Sequence, residues 1–249
     1  MRYSACIEWL FAAESPDFAG RIHAAKAAGL DAVEFWRSSN KDVAAIETAL
    51  RATGLPLSSI LCEPIVPLTD VSAHPRFLES VRSSLAMAQR LGAPVIIAQA
   101  GDDQAGLSRA EQHAAIFKVL KEAAGLMAGS GVVLALEPLN DRVDHPGYYL
   151  TSTEEGLDII DEVSRPEVRL LYDIYHAAVM GETIEVLEGR LDRVVHVHLA
   201  DAPGRGEPGS GAMDWSDRLD WLDQRGYAGF VGLEYKPTIG TVEGLQFRS

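Results

Sequence analysis

Four apolar runs in the second half of the chain each end on a side chain that binds divalent metal ions. These are Glu137 after Val132–Leu136, Asp173 after Val168–Tyr172, His198 after Val194–Val197 and Glu234 after Phe230–Leu233. A single acid in such a place is commonly a helix cap or an ion-pair partner. Three carboxylates that met without a cation would repel one another, however. The pattern therefore predicts one divalent ion (Mn²⁺, Mg²⁺, Co²⁺ or Zn²⁺), and the oxygen-rich ligand set favours the harder ions.

Three further side chains are candidates for binding a substrate beside this metal site. His176 lies in the motif YDIYH, where it could line the pocket or cap the next helix. Arg205 lies in a loop rich in glycine and proline, and its planar fork suits a carboxylate or a phosphate. The alternative for Arg205 is a solvated side chain or a pair with Glu207. His145, in the motif DHPGYY, is close enough in sequence to the fifth run to line the same pocket.

Other residues near the ends of the apolar runs could complete the pocket. Glu63 follows the third run and is a further candidate substrate contact. Trp9 and Trp36 follow the first two runs and are candidate apolar walls, although packing in a core is the commoner use of tryptophan. His196 is two residues before His198 on one strand, so both face the same side. We expect His196 to lie one layer deeper, as a hydrogen-bonded core histidine.

These side chains meet only if parallel strands deliver them to one end of a sheet. Eight short apolar runs alternate with helical patterns, at Tyr3–Ile7, Ala32–Phe35, Leu57–Leu61, Val95–Gln99, Val132–Leu136, Val168–Tyr172, Val194–Leu199 and Phe230–Leu233. Uninterrupted apolar runs are typical of parallel strands that are covered on both faces. Eight such units without a break in composition predict an α/β fold, a single (β/α)₈ TIM barrel over residues 1–249. In that fold the loops after the strands form the active face.

Local signals mark the helices between the strands. Gly54 and Gly92 follow helical patterns as C-caps, Ser108 begins a capping-box sequence, and Thr153 is the expected N-cap of a later helix. Only 15 residues follow Glu234, so the last helix should be short or incomplete. A doubly wound open sheet is the structural alternative, but it would need a glycine-rich phosphate turn after the first strand, where the sequence has none.

Composition and charge narrow the function classes. The net charge of −14 argues against a nucleic-acid backbone or an anionic membrane surface as a partner. No apolar run approaches the ~20 residues that a membrane helix needs. Cys6 and Cys62 are too few for a disulfide framework, and the N-terminus lacks the layout of a signal peptide. We expect a cytoplasmic protein with reduced thiols.

Several motifs of the second half resemble the hydroxypyruvate isomerase family. They are LALEPLN at 134–140, LLYDIYH at 170–176, HVHLADAPGRGEPGSG at 196–211 and GFVGLEYKP at 229–237. This family is a branch of the xylose-isomerase-like barrels, which also include ketose 3-epimerases, inosose dehydratases and endonuclease IV. The resemblance implies a divalent metal at the four strand-end residues, with Glu137 and Glu234 as the acid/base pair. It also implies substrate contacts from His176 and Arg205.

One position departs from the family pattern. Hydroxypyruvate isomerases commonly have glutamine at the metal position of strand seven, whereas this chain has His198, which is the epimerase-like choice. The expected reaction remains the isomerisation of hydroxypyruvate to tartronate semialdehyde (2-hydroxy-3-oxopropanoate) by proton transfer through a cis-enediolate. A homo-oligomer is expected as well, since barrels of this family often pair.

Three alternatives to this function stay open. The first is a ketose 3-epimerase or another sugar isomerase, with a ketose as substrate. The second is a nuclease like endonuclease IV, which would need more histidine ligands and a basic groove for DNA. The third is a non-catalytic binding barrel, which would be expected to lack an acid/base residue, whereas Glu137 and Glu234 are both present.

Overall fold

Eight parallel strands form the centre of the protein, and the computed structural model describes residues 1–248. The strands are β1 (Arg2–Cys6), β2 (Ala32–Glu34), β3 (Ser59–Leu61), β4 (Val95–Gln99), β5 (Val133–Glu137), β6 (Val168–Asp173), β7 (Val194–Leu199) and β8 (Phe230–Leu233). Their order in the sheet is β2-β1-β8-β7-β6-β5-β4-β3. A parallel bridge between Val33 and Leu57 joins the two ends of this order. The predicted TIM barrel is therefore confirmed.

The helices lie between successive strands. They are α1 (Phe18–Ala27), α2 (Val43–Thr53), α3 (His74–Leu91), α4 (Arg109–Met127), α5 (Thr153–Val163), α6 (Ile174–Met180), α7 (Trp215–Gln224) and α8 (Thr241–Gly244). With four residues, α8 confirms the expectation of a short last helix. Ser108 and Glu111 form the predicted capping box of α4. The N-cap of α5 is Ser152 rather than the expected Thr153, because the Ser152 hydroxyl accepts the backbone N–H of Glu155. No helix in residues 1–248 combines the length and the apolar character needed to cross a membrane.

The apolar core has two shells because side chains of a strand alternate between its two faces. The larger shell lies between the barrel and the helices and includes Val33, Val197 and Leu199. The smaller shell fills the inside of the barrel, with Leu61, Val95, Ile97, Ala135 and Leu171. Glu137 and Asp173 each lie two residues after one of these inward side chains, Ala135 and Leu171. The same alternation therefore points both carboxylates into the barrel.

The carboxyl ends of β5 to β8 place the four predicted ligands at one end of the barrel. Glu137 and Asp173 are the last residues of β5 and β6, and His198 is the penultimate residue of β7. Glu234 directly follows β8. Asp173 pairs in register with His198, and Val195 is an extra residue on β7 where the register with β6 shifts. Such a bulge re-aims the following side chains, and His196 and His198 both point into the barrel.

Candidate active site

The four predicted metal ligands meet at the mouth of the barrel. Glu137, Asp173, His198 and Glu234 are all buried, and one ligand atom from each lies within 4.8 Å of the others. Nδ1 of His198 is 3.3 Å from Oε1 of Glu137, 3.5 Å from Oε2 of Glu234 and 3.8 Å from Oδ2 of Asp173. None of these approaches has hydrogen-bond alignment, and within the described residues Nδ1 has no hydrogen-bond partner. A buried nitrogen that faces three carboxylate oxygens fits a divalent cation.

Electrostatics at this cluster show strong coupling between its charges. Burial raises the pKa of Glu137 to about 7, and the nearby Glu234 and Asp173 carboxylates act in the same direction. Burial opposes a charge on His198, but Glu234 and Glu34 raise its pKa well above the usual value. For Asp173 burial acts upwards, yet its cationic neighbours lower the pKa. The cluster concentrates negative charge that a cation would offset.

Two hydrogen-bond donors from distant parts of the chain fix the Glu234 carboxylate. The indole Nε1 of Trp36 donates to Oε1 at 2.7 Å, and Nη2 of Arg205 donates to Oε2 at 2.6 Å. The Glu137 carboxylate, by contrast, has only the 3.3 Å approach of His198 Nδ1 as a side-chain contact in the described residues. Of the two candidate acid/base residues, Glu137 is therefore the one that is less constrained by hydrogen bonds.

Arg205 is buried, and other cavity residues surround its guanidinium. Its Cζ atom lies 5.2 Å from the ring centroid of Trp9 and 5.1 Å from that of Tyr175. Nη1 approaches Oδ1 of Asp144 at 3.5 Å. The backbone at Arg205 has φ 56°, in the left-handed region, and its carbonyl accepts the N–H of Lys236 at 2.8 Å. A strained residue held in this way is typical of a functional position.

The loop around Arg205 is anchored by two acids. Asp201 accepts the N–H of Gly209 at 2.7 Å and that of Met213 at 3.1 Å. Glu207 accepts the N–H of Thr238 at 2.9 Å, so it does not form the alternative pair with Arg205. The loop therefore holds its arginine against the cavity by backbone contacts rather than by a local ion pair.

His176 presents an N–H to the cavity. The backbone N–H of Asn140 donates to Nδ1 at 3.0 Å, and its side-chain Nδ2 lies 2.7 Å from the same atom. The proton of the neutral ring therefore resides on Nε2, which has no hydrogen-bond partner in residues 1–248. Burial lowers the pKa of His176 to about 4, so the ring is neutral near pH 7. Asp173, not His176, caps α6.

A cavity of about 580 Å³ opens over this cluster of candidate ligands. His145, His176 and Arg205 line it together with three of the four candidate ligands, Glu137, His198 and Glu234. Trp9 and Trp36 form its apolar wall, with ring centroids 5.0 Å apart and an edge-to-face angle of 84°. The cavity therefore combines a charged floor with aromatic sides.

Glu63 does not join this cavity, contrary to the sequence-based expectation of a substrate contact. Its Oε1 accepts the backbone N–H groups of Ser38 at 2.6 Å and Ser39 at 3.0 Å, and both hydroxyls bond the same carboxylate. These bonds lower its pKa although burial acts the other way. The side chain closes the loop after β2 and does not line the main cavity.

Three polar residues of the site were not predicted. Glu34 is buried and binds His196, which is the hydrogen-bonded core histidine that the sequence indicated. Asn140 orients His176, and Asp144 lies between Arg205 and Tyr175, whose hydroxyl donates to it at 2.8 Å. Glu34 ends β2 in the structure, but in the sequence it lies inside the apolar run Ala32–Phe35 and so carried no strand-end signal. Asn140 closes the motif LALEPLN.

The comparison with known proteins identifies the family of this barrel. A family model described as a xylose isomerase-like TIM barrel matches residues 22–248. The chain belongs to that family. A Mus musculus protein named putative hydroxypyruvate isomerase is 35% identical to this family member, over 99% of this chain and 94% of the mouse protein. The hydroxypyruvate isomerase of Escherichia coli K12 is 30% identical, over 99% and 98% of the two chains.

A solved structure supports the same fold. The crystal structure of a Brucella melitensis protein named AP endonuclease, family 2, has a TM-score of 0.91 and 28% identity, and covers 99% of this barrel and 97% of its own chain. Both curated relatives are named as isomerases, and this chain matches them over nearly their full length. The expectation that this xylose isomerase-like protein is an isomerase enzyme is therefore confirmed.

Proposed function

We propose that this protein converts hydroxypyruvate to tartronate semialdehyde with one divalent metal ion held by Glu137, Asp173, His198 and Glu234. The observation that carries the proposal is the cluster of these four ligand atoms within 4.8 Å. Arg205 and His176 line the same cavity and offer donors to a carboxylate and to a carbonyl or hydroxyl oxygen. The names of the curated relatives agree with an α-hydroxy keto acid as the substrate.

The ligand set defines what the metal would contribute. A divalent cation at these residues supplies a Lewis acid for the substrate carbonyl, which makes the neighbouring C–H more acidic. Asp173 and His198 serve to hold the ion. Asp173 is also held by α6, whose His176 N–H donates to Oδ1 at 3.0 Å, so the carboxylate has a fixed orientation.

Glu137 is the residue best suited to move the proton. Its carboxylate accepts no aligned hydrogen bond in the described residues, and a positioned carboxylate of this kind can accept and return a proton. In the forward direction Glu137 removes a proton from C3 of hydroxypyruvate and delivers it to C2. The hydroxyl proton passes from the oxygen on C3 to the oxygen on C2, so the atoms balance without a further reactant. Glu234 is held in place by one hydrogen bond at each oxygen and keeps further lone pairs for the ion, so it stabilises and orients rather than abstracts.

The remaining residues bind and shield the substrate. The Arg205 guanidinium is the natural partner of the substrate carboxylate because a planar fork pairs well with two oxygens. His176 donates from Nε2, and the walls of Trp9 and Trp36 exclude water from the reactive carbons. Exclusion of water strengthens each of these polar contacts.

The test is proton exchange at carbon. Protein stripped with EDTA and reloaded with Mn²⁺ or Mg²⁺ should exchange C3 protons of hydroxypyruvate with D₂O and form tartronate semialdehyde, both followed by NMR. Glu137→Gln should slow exchange by ~10²–10⁴-fold, the usual size of a general acid–base effect. The matched control is Glu122→Gln on the exposed side of α4, which should leave the rate unchanged. Exchange that is equally fast after metal removal and in Glu137→Gln would overturn the proposal.

A ketose 3-epimerase remains the second candidate because one observation favours a larger substrate. A cavity of about 580 Å³ is much larger than a three-carbon acid requires, and His198 stands where the resemblance makes histidine the epimerase-like residue. Free ketoses should therefore be assayed beside hydroxypyruvate and longer 3-hydroxy-2-keto acids. Preference for a neutral ketose would move the assignment to epimerase and remove the carboxylate role from Arg205.

A nuclease function is disfavoured despite the name of the Brucella structure. DNA binding depends on Lys and Arg that neutralise phosphates, whereas this chain has a net charge of −14. Two of the histidines that could serve as further metal ligands also have hydrogen-bond partners in the described residues. His196 bonds Glu34, and His176 accepts from Asn140.

A further inference from the structure

Behind His198, on the side of its ring away from the carboxylate cluster, lies the buried carboxylate of Glu34. We propose that Glu34 is the positioning residue of the metal centre, because it holds the proton of His198 on Nε2 and so leaves Nδ1 free to bind a cation. The inference rests on the proposed metal site and is independent of the substrate.

The two nitrogens of His198 face two different environments. Nε2 lies 3.0 Å from Oε1 of Glu34, whereas Nδ1 faces the three ligand carboxylates. The approach to Glu34 lacks full hydrogen-bond alignment, and neither Nε2 nor Oε1 has another hydrogen-bond partner in the described residues. A neutral imidazole carries one N–H. A carboxylate beside Nε2 keeps that proton there and presents the Nδ1 lone pair to the cation.

The Glu34 carboxylate is itself held from behind. Its Oε2 accepts from Nε2 of His196 at 2.9 Å and from the hydroxyl of Ser58 at 2.8 Å. The Ser58 hydroxyl is in turn 2.6 Å from that of Ser4. One oxygen of Glu34 is therefore fixed by two donors, and the other oxygen is left to face His198. His196 acts as a support for this carboxylate rather than as a metal ligand.

Small residues on the intervening strands allow Glu34 and His198 to meet inside the barrel. Two strands, β1 and β8, lie between Glu34 on β2 and His198 on β7. The inward residues on that path are small: Ser4 pairs with Gly232, and Gly232 pairs with His198. A Cβ atom on Gly232 would lie 2.7 Å from Cδ2 of His198 and 2.8 Å from Cδ of Glu34, closer than real Cβ contacts.

The reason for a glycine at position 232 is therefore space. Gly232 is absent from the glycines with positive φ in the described chain, so its backbone conformation does not require glycine. Because any side chain would push the Glu34 carboxylate away from the imidazole, two residues on separate strands serve the same contact. A purely structural role of Glu34, as the partner of buried His196, would not explain why position 232 beside His198 lacks a side chain.

Metal affinity separates these two roles. Mn²⁺ binding to the EDTA-treated full-length protein, measured by titration calorimetry, should weaken by ~10–100-fold in Glu34→Gln, as expected for loss of a residue that orients a metal ligand. Gly232→Ala, which removes neither a ligand nor a charge, should weaken binding as well. The matched control is Glu63→Gln, which alters a hydrogen-bonded carboxylate outside the cavity and should bind Mn²⁺ within about threefold of the parent, far less than that loss. Equal affinity in the parent and a folded Glu34→Gln would overturn the proposal.

A second measurement does not depend on any variant. Long-range ¹H–¹⁵N NMR of the Zn²⁺-loaded parent protein reports which ring nitrogen of His198 carries the proton. A protonated Nε2 with Nδ1 on the metal is the expected result, and the reverse tautomer would refute the inference. Failure of the parent protein to bind Mn²⁺ or Zn²⁺ at all would instead remove the metal site and with it the proposed function.

Discussion

Arg205 donates a hydrogen bond from Nη2 to Oε2 of Glu234 at 2.6 Å. The arginine that faces the cavity is thus also the partner of a carboxylate in the candidate metal site. Its Nε has no hydrogen-bond partner in residues 1–248, and Nη1 makes only the 3.5 Å approach to Asp144. The Arg205 guanidinium therefore keeps N–H groups that can donate to an anionic substrate. Binding of that substrate would act directly on the hydrogen bond between Arg205 and Glu234.

Arg205→Lys should discriminate between charged and neutral substrates. Lysine keeps the positive charge but loses the planar fork, so kcat/KM for hydroxypyruvate should fall by ~10–100-fold, the size of a lost charge-assisted hydrogen bond. A neutral ketose makes no such bond, and its KM should rise much less. Steady-state kinetics with both substrates measures the difference. An unchanged KM for hydroxypyruvate would show that the carboxylate binds elsewhere.

Trp36→Phe tests the second donor to Glu234. The substitution retains an aromatic wall but removes the Nε1–H group that lies 2.7 Å from Oε1. We expect kcat to fall by about tenfold while KM changes little, because a hydrogen bond to a charged group contributes ~1.5–3 kcal/mol. Trp221→Phe in α7, outside the cavity, is the matched control and should keep full activity. A higher KM with an unchanged kcat would indicate that the indole only shapes the cavity.

Metal removal should lower the melting temperature. A cation that binds only the native state at 100 times its Kd stabilises it by ~2.7 kcal/mol, which corresponds to ~5–10 °C for a chain of this size. Scanning calorimetry with EDTA and with excess Mn²⁺ gives the shift. Asp173→Asn removes a charged ligand and should abolish most of the rise in melting temperature that Mn²⁺ causes. A melting temperature that is independent of Mn²⁺ in the parent protein would count against the site.

Glu63→Gln should affect stability and not substrate binding. Its carboxylate is half-buried and accepts hydrogen bonds from the backbone and hydroxyls of Ser38 and Ser39. Loss of the charge should lower the free energy of unfolding by about 1–2 kcal/mol, measured by urea denaturation. The KM for hydroxypyruvate should stay that of the parent, and a large increase would restore the substrate contact that the sequence had suggested.

The strand-end ligands were predictable because they follow from local alternation. A parallel strand delivers its last inward side chain to one known edge, so Glu137 and Asp173 could be placed from their apolar runs alone. Glu63 also follows a strand, but Ser38 and Ser39, more than 20 residues away in the chain, capture its carboxylate. The partner of a side chain across such a separation is not encoded in a local pattern.

Glu34 shows the same limit in the opposite direction. It sits inside the apolar run Ala32–Phe35, where an isolated acid suggests no partner. Its partner His196 is 162 residues away, and only closure of the barrel brings β2 opposite β7. The chemistry of the first strands was therefore hidden until the packing of the barrel interior was known.

The side chains of Glu34 and His198 fill the space above Gly232, so these three positions form a single unit for protein design. A change of His198→Gln alone would remove the ring nitrogen that Glu34 faces and leave a buried carboxylate with less compensation, a costly arrangement in a barrel interior. Refilling that volume would call for a larger residue at position 232 and a neutral one at position 34. Exchange of the metal ligand on the seventh strand therefore requires simultaneous changes on the second and eighth.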